Sequence, residues 1–451
     1  MKEMTLREIA QAVNGQLLHA DGTVLIDNIS TNSNTVSKST LFVALKGEHF
    51  DGHDFISDFH QNGGSATISE RDTGLPAILV EDTRLALGDL ARYYRGKFDL
   101  PVIGVTGSVG KTSTRRMVES VLSIAGPVCC TQGNLNNEIG LPRTLLTIED
   151  AHRFAVIEMG MNHAGEIRYL THIAKPDIAV ITNVGTAHIG NLGSREAILQ
   201  AKLEILEGLP PDGLALLNGD DERLYAQRGK LPFRTLFYGI RNPDCDLVAS
   251  DVACGALASK FRVGSDAFTI RVPGAHHVYN ALAAIAIGLE FHMPVTDIQR
   301  GAADFRPADM RQAMIEAGGV RIIEDCYNAN ADSMEAALAV LAASDTGGRR
   351  IAILGDMLEL GAFTQSEHRR VGACAARHGI DLLITVGEHA RTIAEQAGAG
   401  GVETMSVYNN REALQTVLDI LQEKDAVLVK ASRSAKFEEI SQGMQAALAG
   451  H

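Results

Sequence analysis

Short apolar runs alternate with amphipathic helical stretches through the middle of this chain. These apolar runs fall at 101–105, 154–159, 178–182, 214–217 and 235–238. Helical patterns separate most of them, which predicts a parallel sheet with βαβ crossovers. Residues 245–272 instead alternate and carry glycine turns, which indicates antiparallel strands, and the alanine-rich stretch 274–293 is typical of a helix.

The last third of the chain shows the same alternation more cleanly. Its strand candidates are 320–325, 350–354, 382–386, 404–407 and 426–429, with helical patterns between them. Thr364 followed by Glu367 predicts a capping box at the start of one of those helices. The pattern predicts a second, Rossmann-like α/β unit, and the lack of a GxGxxG fingerprint argues against dinucleotide binding there.

The first 98 residues form a mixed block. Its helical patterns fall at 6–13, 55–62 and 84–94, its clearest extended run at 41–45, and the pair Asn14-Gly15 is a helix-ending signal. We therefore predict an α/β protein of three domains: a mixed α/β domain over 1–98, a central parallel-sheet domain over 99–313, and a Rossmann-like domain over 314–451.

Composition narrows the function classes. A formal net charge of −14 disfavours non-specific binding to nucleic acid or to an anionic membrane, so a polyanionic ligand needs a locally positive pocket. The six cysteines show no CxxC or zinc-like spacing, which is typical of a reducing cytosol. The charged, amphipathic first 18 residues are unlike a signal peptide, and the longest apolar run, 281–289, is too short to span a bilayer. We expect a cytoplasmic protein without nucleic-acid binding or stable membrane insertion.

The most informative motif directly follows the first central apolar run. Thr106-Gly107-Ser108-Val109-Gly110-Lys111-Thr112 is a glycine-rich turn between a predicted strand and a predicted helix. Glycines let backbone N–H groups converge on phosphate oxygens, while Lys111 can bridge the outer phosphates and Thr112 can bind Mg²⁺. General P-loops have glycine where this chain has Val105, which indicates a particular subset of them. We predict nucleotide contacts from Gly107, Ser108, Val109, Gly110, Lys111, Thr112 and Ser113.

Three further residues could carry chemistry, each with a plainer alternative. Glu158 ends a predicted strand beside the P-loop, where it could hold Mg²⁺ or polarise a water, or could be a solvated carboxylate. His188, between small residues and Gly190, could be a metal ligand or a structural histidine. Lys202 lies in a helical stretch, and a helix lysine is by default a solvated charge.

Together these segments resemble the Mur ligase family, the ATP-dependent amino-acid and peptide ligases of peptidoglycan synthesis. The family's T-G-[ST]-x-G-K-[ST] loop, strand-end glutamate, histidine before Ile/Leu-Gly and A-K-x-E segment match, in order, 106–112, Glu158, His188 and 201–204. The resemblance implies ATP and two Mg²⁺ ions as cofactors. It also implies metal ligation by Thr112, Glu158, His188 and a carbamylated Lys202, with Lys111 and Arg311 completing the catalytic set.

The resemblance continues downstream. The family's H-N-x-x-N matches 276–280, with His277 in place of the first Asn, and its Gly-Arg pair reads Met310-Arg311 here. This implies ATP contacts from Asn280, Arg311 and Asp325.

Within the family, segment 325–330 is similar to that of the ligase adding D-alanyl-D-alanine to UDP-N-acetylmuramoyl-tripeptide, with Ala331 where that ligase has proline. Segments 134–140, 355–361 and 429–434 fit the same member. Segments 41–47 and 50–55 resemble its UDP-substrate domain, although Asn34 replaces an arginine. The resemblance implies these two substrates and an acyl-phosphate route. The implied substrate contacts come from Ser33, Lys46, Gly47, Asp51, His53, Asn134, Asn136, Asn137, Tyr327, Asn328, Asn330, Ser432 and Arg433.

The alternatives are another Mur ligase or a folylpolyglutamate-type ligase, and a non-catalytic P-loop nucleotide-binding protein. Segment 327–330 argues against the first pair. A GTPase switch would need an N-K-x-D motif, which is missing, and a dead homologue would be expected to lose Lys111, Glu158, His188 or Lys202. We expect a monomer. The sequence leaves open whether the third peptide residue is diaminopimelate or lysine.

Overall fold

Three main sheets follow one another along the chain in the computed structural model, which describes residues 1–449. The first lies within 16–79, the second within 102–270 and the third within 313–430. The third sheet begins at Ala313, the last residue of the predicted central domain. We propose that residues 1–98, 99–313 and 314–451 form the three domains.

The first part of the chain is a small mixed α/β unit. Its five-stranded sheet has the order β2-β7-β6-β5-β4, parallel except for the β2–β7 pair, and β1 pairs with β3 outside it. The predicted helices are all present. The elements are β1 (Met4–Thr5), α1 (Leu6–Ala12), β2 (Gln16–Leu18), β3 (Leu25–Ile26), β4 (Asn28–Ser30), β5 (Thr40–Val43), α2 (Ile56–Gln61), β6 (Ala66–Ser69), β7 (Ala77–Leu79) and α3 (Thr83–Arg95).

The central part carries a nine-stranded sheet of order β16-β15-β14-β13-β12-β11-β8-β10-β9. It is parallel from β9 to β14 and antiparallel from β14 to β16, as the change in sequence pattern predicts. Its strands are β8 (Val102–Thr106), β9 (Val128–Cys130), β10 (Phe154–Glu158), β11 (Ile178–Ile181), β12 (Leu214–Asn218), β13 (Arg234–Gly239), β14 (Leu247–Cys254), β15 (Ser259–Val263) and β16 (Asp266–Ile270).

Helices cover this sheet and bury its apolar strands. They are α4 (Lys111–Leu122), α5 (Gly140–Leu145), α6 (Glu166–Ala174), α7 (Ile189–Leu192), α8 (Arg195–Leu203), α9 (Glu222–Tyr225), α10 (Ala275–Glu290) and α11 (Val295–Asp304). The alanine-rich α10 packs against α4, because small side chains let two helix backbones approach closely. Within residues 1–449 no helix, α10 included, has the length and hydropathy to cross a bilayer.

The last part is a six-stranded sheet of order β17-β18-β22-β19-β20-β21, parallel except for the edge hairpin β17–β18. The five strands predicted in this part are all present. The elements are β17 (Ala313–Ala317), β18 (Val320–Glu324), α12 (Ala331–Ala342), β19 (Arg350–Gly355), α13 (Thr364–Arg377), β20 (Leu382–Val386), α14 (Arg391–Ala399), β21 (Glu403–Val407), α15 (Asn410–Ile420), β22 (Ala426–Lys430) and α16 (Glu438–Leu448).

The predicted capping box at Thr364 is wrong. A 3₁₀ turn, Gly361–Phe363, runs directly into α13, so Thr364 is already helical and its hydroxyl donates to the Gly361 carbonyl at 2.8 Å. Glu367 instead accepts a hydrogen bond from the hydroxyl of Thr186, in the central part of the chain, at 3.0 Å. The Glu367 carboxylate is therefore used in a tertiary contact and not at the helix end, where the local pattern predicts it.

Candidate active site

A cavity of about 990 Å³ lies where the three parts of the chain meet. It opens at the carboxyl ends of β8, β10 and β11, the edge at which parallel α/β sheets bind ligands. Side chains from all three parts share this space. The lining includes Arg84 and Leu85 of α3, the P-loop, Asn134, Asn136 and Asn137, and Asp325, Tyr327, Asn328 and Asn330 at the start of the last part.

The P-loop is shaped by two glycines and by contacts from the loop after β11. Gly110 caps α4 with φ +86°, and Gly107 has φ +153° with no room for a Cβ beside the Thr182 hydroxyl. The Val109 N–H donates to Oδ1 of Asn183 at 2.9 Å. Lys111 folds back so that its Nζ donates to the Gly107 carbonyl at 2.8 Å. Residues 108–113 line the cavity and Gly107 does not, and their contacts with nucleotide stay predictions.

Glu158 is a buried carboxylate with only 1% of its surface exposed. Its Oε2 accepts from the Thr112 hydroxyl at 2.9 Å and its Oε1 accepts from Nδ2 of Asn136 at 2.8 Å. Arg115 Nε lies 3.4 Å from Oε2. The parallel pairing of β8 with β10 places the strand end beside the P-loop, and the burial of Glu158 there excludes the solvated-carboxylate alternative.

His188 follows β11 with a left-handed backbone, φ +60°. Its Nδ1 lies 2.6 Å from Oε2 of Glu359, a residue of the last part of the chain. Burial lowers the pKa of His188, and repulsion from Lys111 lowers it further. These effects favour the neutral imidazole, which is the form that binds metals.

Lys202 is 1% exposed on α8 and is not a solvated charge. Burial lowers its pKa well below the ordinary value, and repulsion from Lys111 adds to the effect. Burial also lowers the pKa of Lys111, which Glu158 opposes and Arg311 reinforces. Lys111 and Arg311 place two basic side chains on the cavity wall of this acidic chain, as a polyphosphate site requires.

Thr112, Glu158 and His188 line the same cavity, and the first two carry oxygen atoms of the kind that Mg²⁺ prefers. Within residues 1–449, no three His, Cys, Asp or Glu side chains form a cluster that could hold a metal ion. Glu158 and His188 therefore need further oxygen donors, and the Thr112 hydroxyl already touches Glu158. A carbamate on the buried Lys202 would supply another oxygen ligand of the kind Mg²⁺ prefers.

The predicted ATP contacts lie along another wall of the cavity. Asn280 accepts from the Thr114 hydroxyl at 2.9 Å, which ties α10 to the P-loop helix. His277 is 3% exposed, and its Nε2 is buried without a hydrogen-bond partner in the described part of the chain. Burial, with repulsion from His276, lowers the pKa of His277 well below the ordinary value. The cavity wall therefore presents a neutral imidazole where the family has an amide.

The start of the last part approaches the same wall. The Arg311 guanidinium lies 4.1 Å from the centre of the Tyr327 ring. Met310, which replaces the family glycine, adopts φ +57°, a left-handed conformation that glycine tolerates more readily. Lys430 donates to Oδ2 of Asp325 at 2.8 Å and to the Asn328 carbonyl at 3.0 Å. Sequence reasoning did not single out Lys430, although it belongs to a segment that fits the family.

Asn330 has a structural task at the cavity edge. It caps α12 in a reciprocal pair with Ser333: its side chain accepts from the Ser333 N–H, and the Ser333 hydroxyl accepts from the Asn330 N–H. Ala331 is the first helical residue, where the family proline is favoured because no intrahelical hydrogen bond is lost there.

Several predicted substrate residues lie away from this cavity. Oδ1 of Asp51 accepts from the backbone N–H of His53 at 3.0 Å and lies 2.6 Å from Nδ1 of the same histidine. Oδ2 of Asp51 lies 2.6 Å from the guanidinium of Arg71. The backbones of Lys46 and Asp51 pair in an isolated antiparallel bridge, which closes a tight turn between them. The other predicted contacts outside the cavity lining are Ser33, Gly47, Ser432 and Arg433. Their roles in binding substrate stay predictions.

Sequence reasoning missed the cavity residues of α3. Asp82 caps this helix by accepting from the N–H groups of Arg84 and Leu85. All three line the cavity. The N-cap signal of Asp82 could have located the helix start, but nothing in the local pattern shows that it faces the P-loop.

Comparison with known proteins agrees with this geometry. Models of the Mur ligase family catalytic domain, the Mur ligase middle domain and the Mur ligase glutamate ligase domain match residues 25–95, 105–288 and 310–433. The UDP-N-acetylmuramoyl-tripeptide–D-alanyl-D-alanine ligase of Escherichia coli strain K12 is 35% identical, over 99% of both chains.

Solved structures are similar over the same length. A crystal structure of MurF from Acinetobacter baumannii superposes with a TM-score of 0.91 at 32% identity, covering 99% of both chains. MurF ligase from Thermotoga maritima, solved in complex with ADP, gives a TM-score of 0.84 at 28% identity, covering 93% of this chain and 97% of that one. These likenesses confirm the predicted α/β architecture and show that this chain belongs to the Mur ligase family.

Proposed function

We propose that this chain joins D-alanyl-D-alanine to the terminal carboxylate of UDP-N-acetylmuramoyl-tripeptide while ATP is cleaved to ADP and phosphate. The observation that carries the proposal is one cavity lined by the P-loop, by Glu158 and by the 325–330 segment. The relative from Escherichia coli bears the name of this reaction, and the Thermotoga maritima relative was solved with ADP.

The first step is attack by the tripeptide carboxylate oxygen on the γ-phosphorus of ATP. The bond to the β-phosphate oxygen breaks, ADP leaves, and an acyl phosphate forms. Lys111 and Arg311 both line the cavity, so both can face the transferring phosphoryl group. When bound, Mg²⁺ neutralises charge on that group. We propose that Thr112, Glu158 and His188 hold it.

Lys202 is proposed to act as a carbamate. Its lowered pKa raises the fraction of neutral amine, the form whose nitrogen attacks CO₂ and loses a proton to give a carbamate. The modification places an anion near Lys111, which attracts that lysine, whereas a protonated Lys202 would repel it.

The second step is attack by the dipeptide amine on the acyl carbon. A tetrahedral intermediate forms and then collapses, so that phosphate leaves and the amide remains, while the amine proton passes to solvent or a base. We propose that Asp325, Tyr327 and Asn328 bind the dipeptide and ATP. Because the cavity walls come from different parts of the chain, closure of the last part would exclude water from the acyl phosphate.

The test is phosphate release by the purified chain with ATP, Mg²⁺, UDP-N-acetylmuramoyl-tripeptide and D-alanyl-D-alanine, omitting one component at a time. We expect release only with all four, together with a pentapeptide product by mass spectrometry. Lys111→Ala should abolish release, whereas Lys230→Ala, an exposed lysine, should not. If a free amino acid replaces the dipeptide, the chain is another Mur ligase; if nothing supports release, the non-catalytic alternative is favoured.

A further inference from the structure

The loop that carries His188 is held from two sides. On one side, the Gly185 N–H donates to the Ser108 hydroxyl of the P-loop at 2.9 Å. On the other, the Thr186 N–H donates to Oδ2 of Asp332 at 2.9 Å and its hydroxyl donates to Glu367. The loop therefore joins the P-loop to helices α12 and α13 of the last part of the chain.

Glu359 makes the closest contact with this loop. Its Oε2 lies 2.6 Å from Nδ1 of His188, and its backbone carbonyl accepts from the Gly190 N–H at 3.1 Å. A Cβ on Gly190 would stand 2.6 Å from that same carbonyl oxygen, so the two backbones can meet only at a glycine. Both the side chain and the backbone of Glu359 thus fix the position of the His188 loop.

We propose that Glu359 is a positioning residue for His188, supplied by the last part of the chain. A carboxylate that accepts the Nδ1 proton holds the ring in one orientation and leaves Nε2 as the ligand atom. The same contact makes the imidazole a stronger ligand. The inference rests on the proposed metal role of His188 and adds that the role depends on a residue from another sheet.

The contact also joins two parts of the chain, the loop after β11 and the last sheet with its helices. Glu359 follows β19, and Asp332 and Glu367 belong to the helices beside it. Arg370 pairs with both of those carboxylates, at 2.7 Å and 3.2 Å, so this surface is preorganised against the loop. The metal ligand is then oriented only when the last part of the chain is seated on the central sheet.

The test measures Mn²⁺ binding to the full chain without nucleotide, by the electron paramagnetic resonance signal of free Mn²⁺. We expect Glu359→Ala to weaken Mn²⁺ affinity about 10- to 100-fold, the usual effect of losing such a partner. Glu359→Gln keeps an acceptor oxygen and should lose less. Glu395→Gln removes an exposed carboxylate elsewhere in the last part and should bind as the unchanged chain does.

The outcomes separate this inference from the proposed function. If His188→Ala weakens binding but Glu359→Ala does not, Glu359 has no positioning role. If Glu359→Gln loses as much as Glu359→Ala, the residue is a direct ligand and the inference is overturned. If Glu158→Gln and His188→Ala both bind Mn²⁺ normally, the metal site itself is wrong. Thermal unfolding of each variant checks that the fold is retained.

Discussion

Glu158→Gln tests the metal site with the smallest possible change in shape. The carboxylate oxygens accept from Thr112 and Asn136 at 2.9 and 2.8 Å, and the residue is 1% exposed. Glutamine keeps the length of the side chain but replaces one oxygen with an NH₂ group. The Thr112 hydroxyl can turn to accept from that group, so the amide can be accommodated while the negative charge is lost.

The expected magnitudes differ for stability and for activity. Arg115 loses the nearer of its two carboxylates but keeps Glu119 at 3.9 Å and a hydrogen bond to the Thr131 carbonyl. We therefore expect a loss of about 1–3 kcal/mol in unfolding free energy, below the ~3–5 kcal/mol for a fully broken buried pair. Loss of the charged metal ligand should cost ~3–4 kcal/mol in the transition state, or about 10²–10³-fold in kcat/KM.

The assay is phosphate release under the four-component conditions, with urea unfolding of the same preparations. Glu119→Gln is the matched control, because it removes the other carboxylate beside Arg115. The Glu119 side chain is 34% exposed. Its activity should stay within about twofold of the unchanged chain, since surface substitutions are usually worth under ~0.5 kcal/mol. Glu158→Gln with more than a tenth of normal activity, or an equal loss in Glu119→Gln, would refute the reasoning.

Three other predictions follow from single contacts. Backbone hydrogen bonding from His53, with its side chain and Arg71, lowers the pKa of Asp51 from 3.8 to about 2. Asp51→Asn should therefore lose about 1–2 kcal/mol at pH 7 by urea unfolding, and this deficit should shrink as pH falls from about 4 to about 2; an equal deficit at pH 7 and pH 2.5 contradicts this. Carbamylation of Lys202 predicts phosphate release that falls in CO₂-free buffer and returns with bicarbonate, whereas unchanged release argues against the modification. Ala331→Pro should raise the unfolding free energy by about 0.4–1 kcal/mol, because the residue before it is already extended (φ −146°, ψ 169°); a lower melting temperature would show that the buried site has no room for the ring.

The predicted element order was largely correct because the apolar runs are continuous and the strands that they form are buried. The 382–386 run coincides with β20, and the 101–105 run precedes the P-loop as β8 within one residue. The edge strands β9 and β17 were missed: β9 has only three residues, and β17 has no buried residue and therefore lacks the continuous apolar run that marks β20. The Thr364 capping box failed because a 3₁₀ turn extends the helix backwards, which the local pattern does not reveal.

Some features of the candidate site could likewise be predicted from the local sequence, and others depend on the tertiary structure. Lys111, Thr112 and Glu158 could be chosen from the sequence because a P-loop and a strand end are local features whose geometry follows from β–loop–α connection. The buried state of Lys202, which lowers its pKa, depends on residues far along the chain.

The sequence alone determined the order of α/β elements, the phosphate loop and the family resemblance, because each of these depends on residues that lie close together along the chain. Only the tertiary structure decided that Arg84 of the first part and Lys430 of the last part face one cavity, and that Glu359 holds His188. Those contacts join residues that are 171 positions apart or lie on separate sheets. Packing between domains, and not local propensity, sets such distances, so no pattern along the chain could have predicted them.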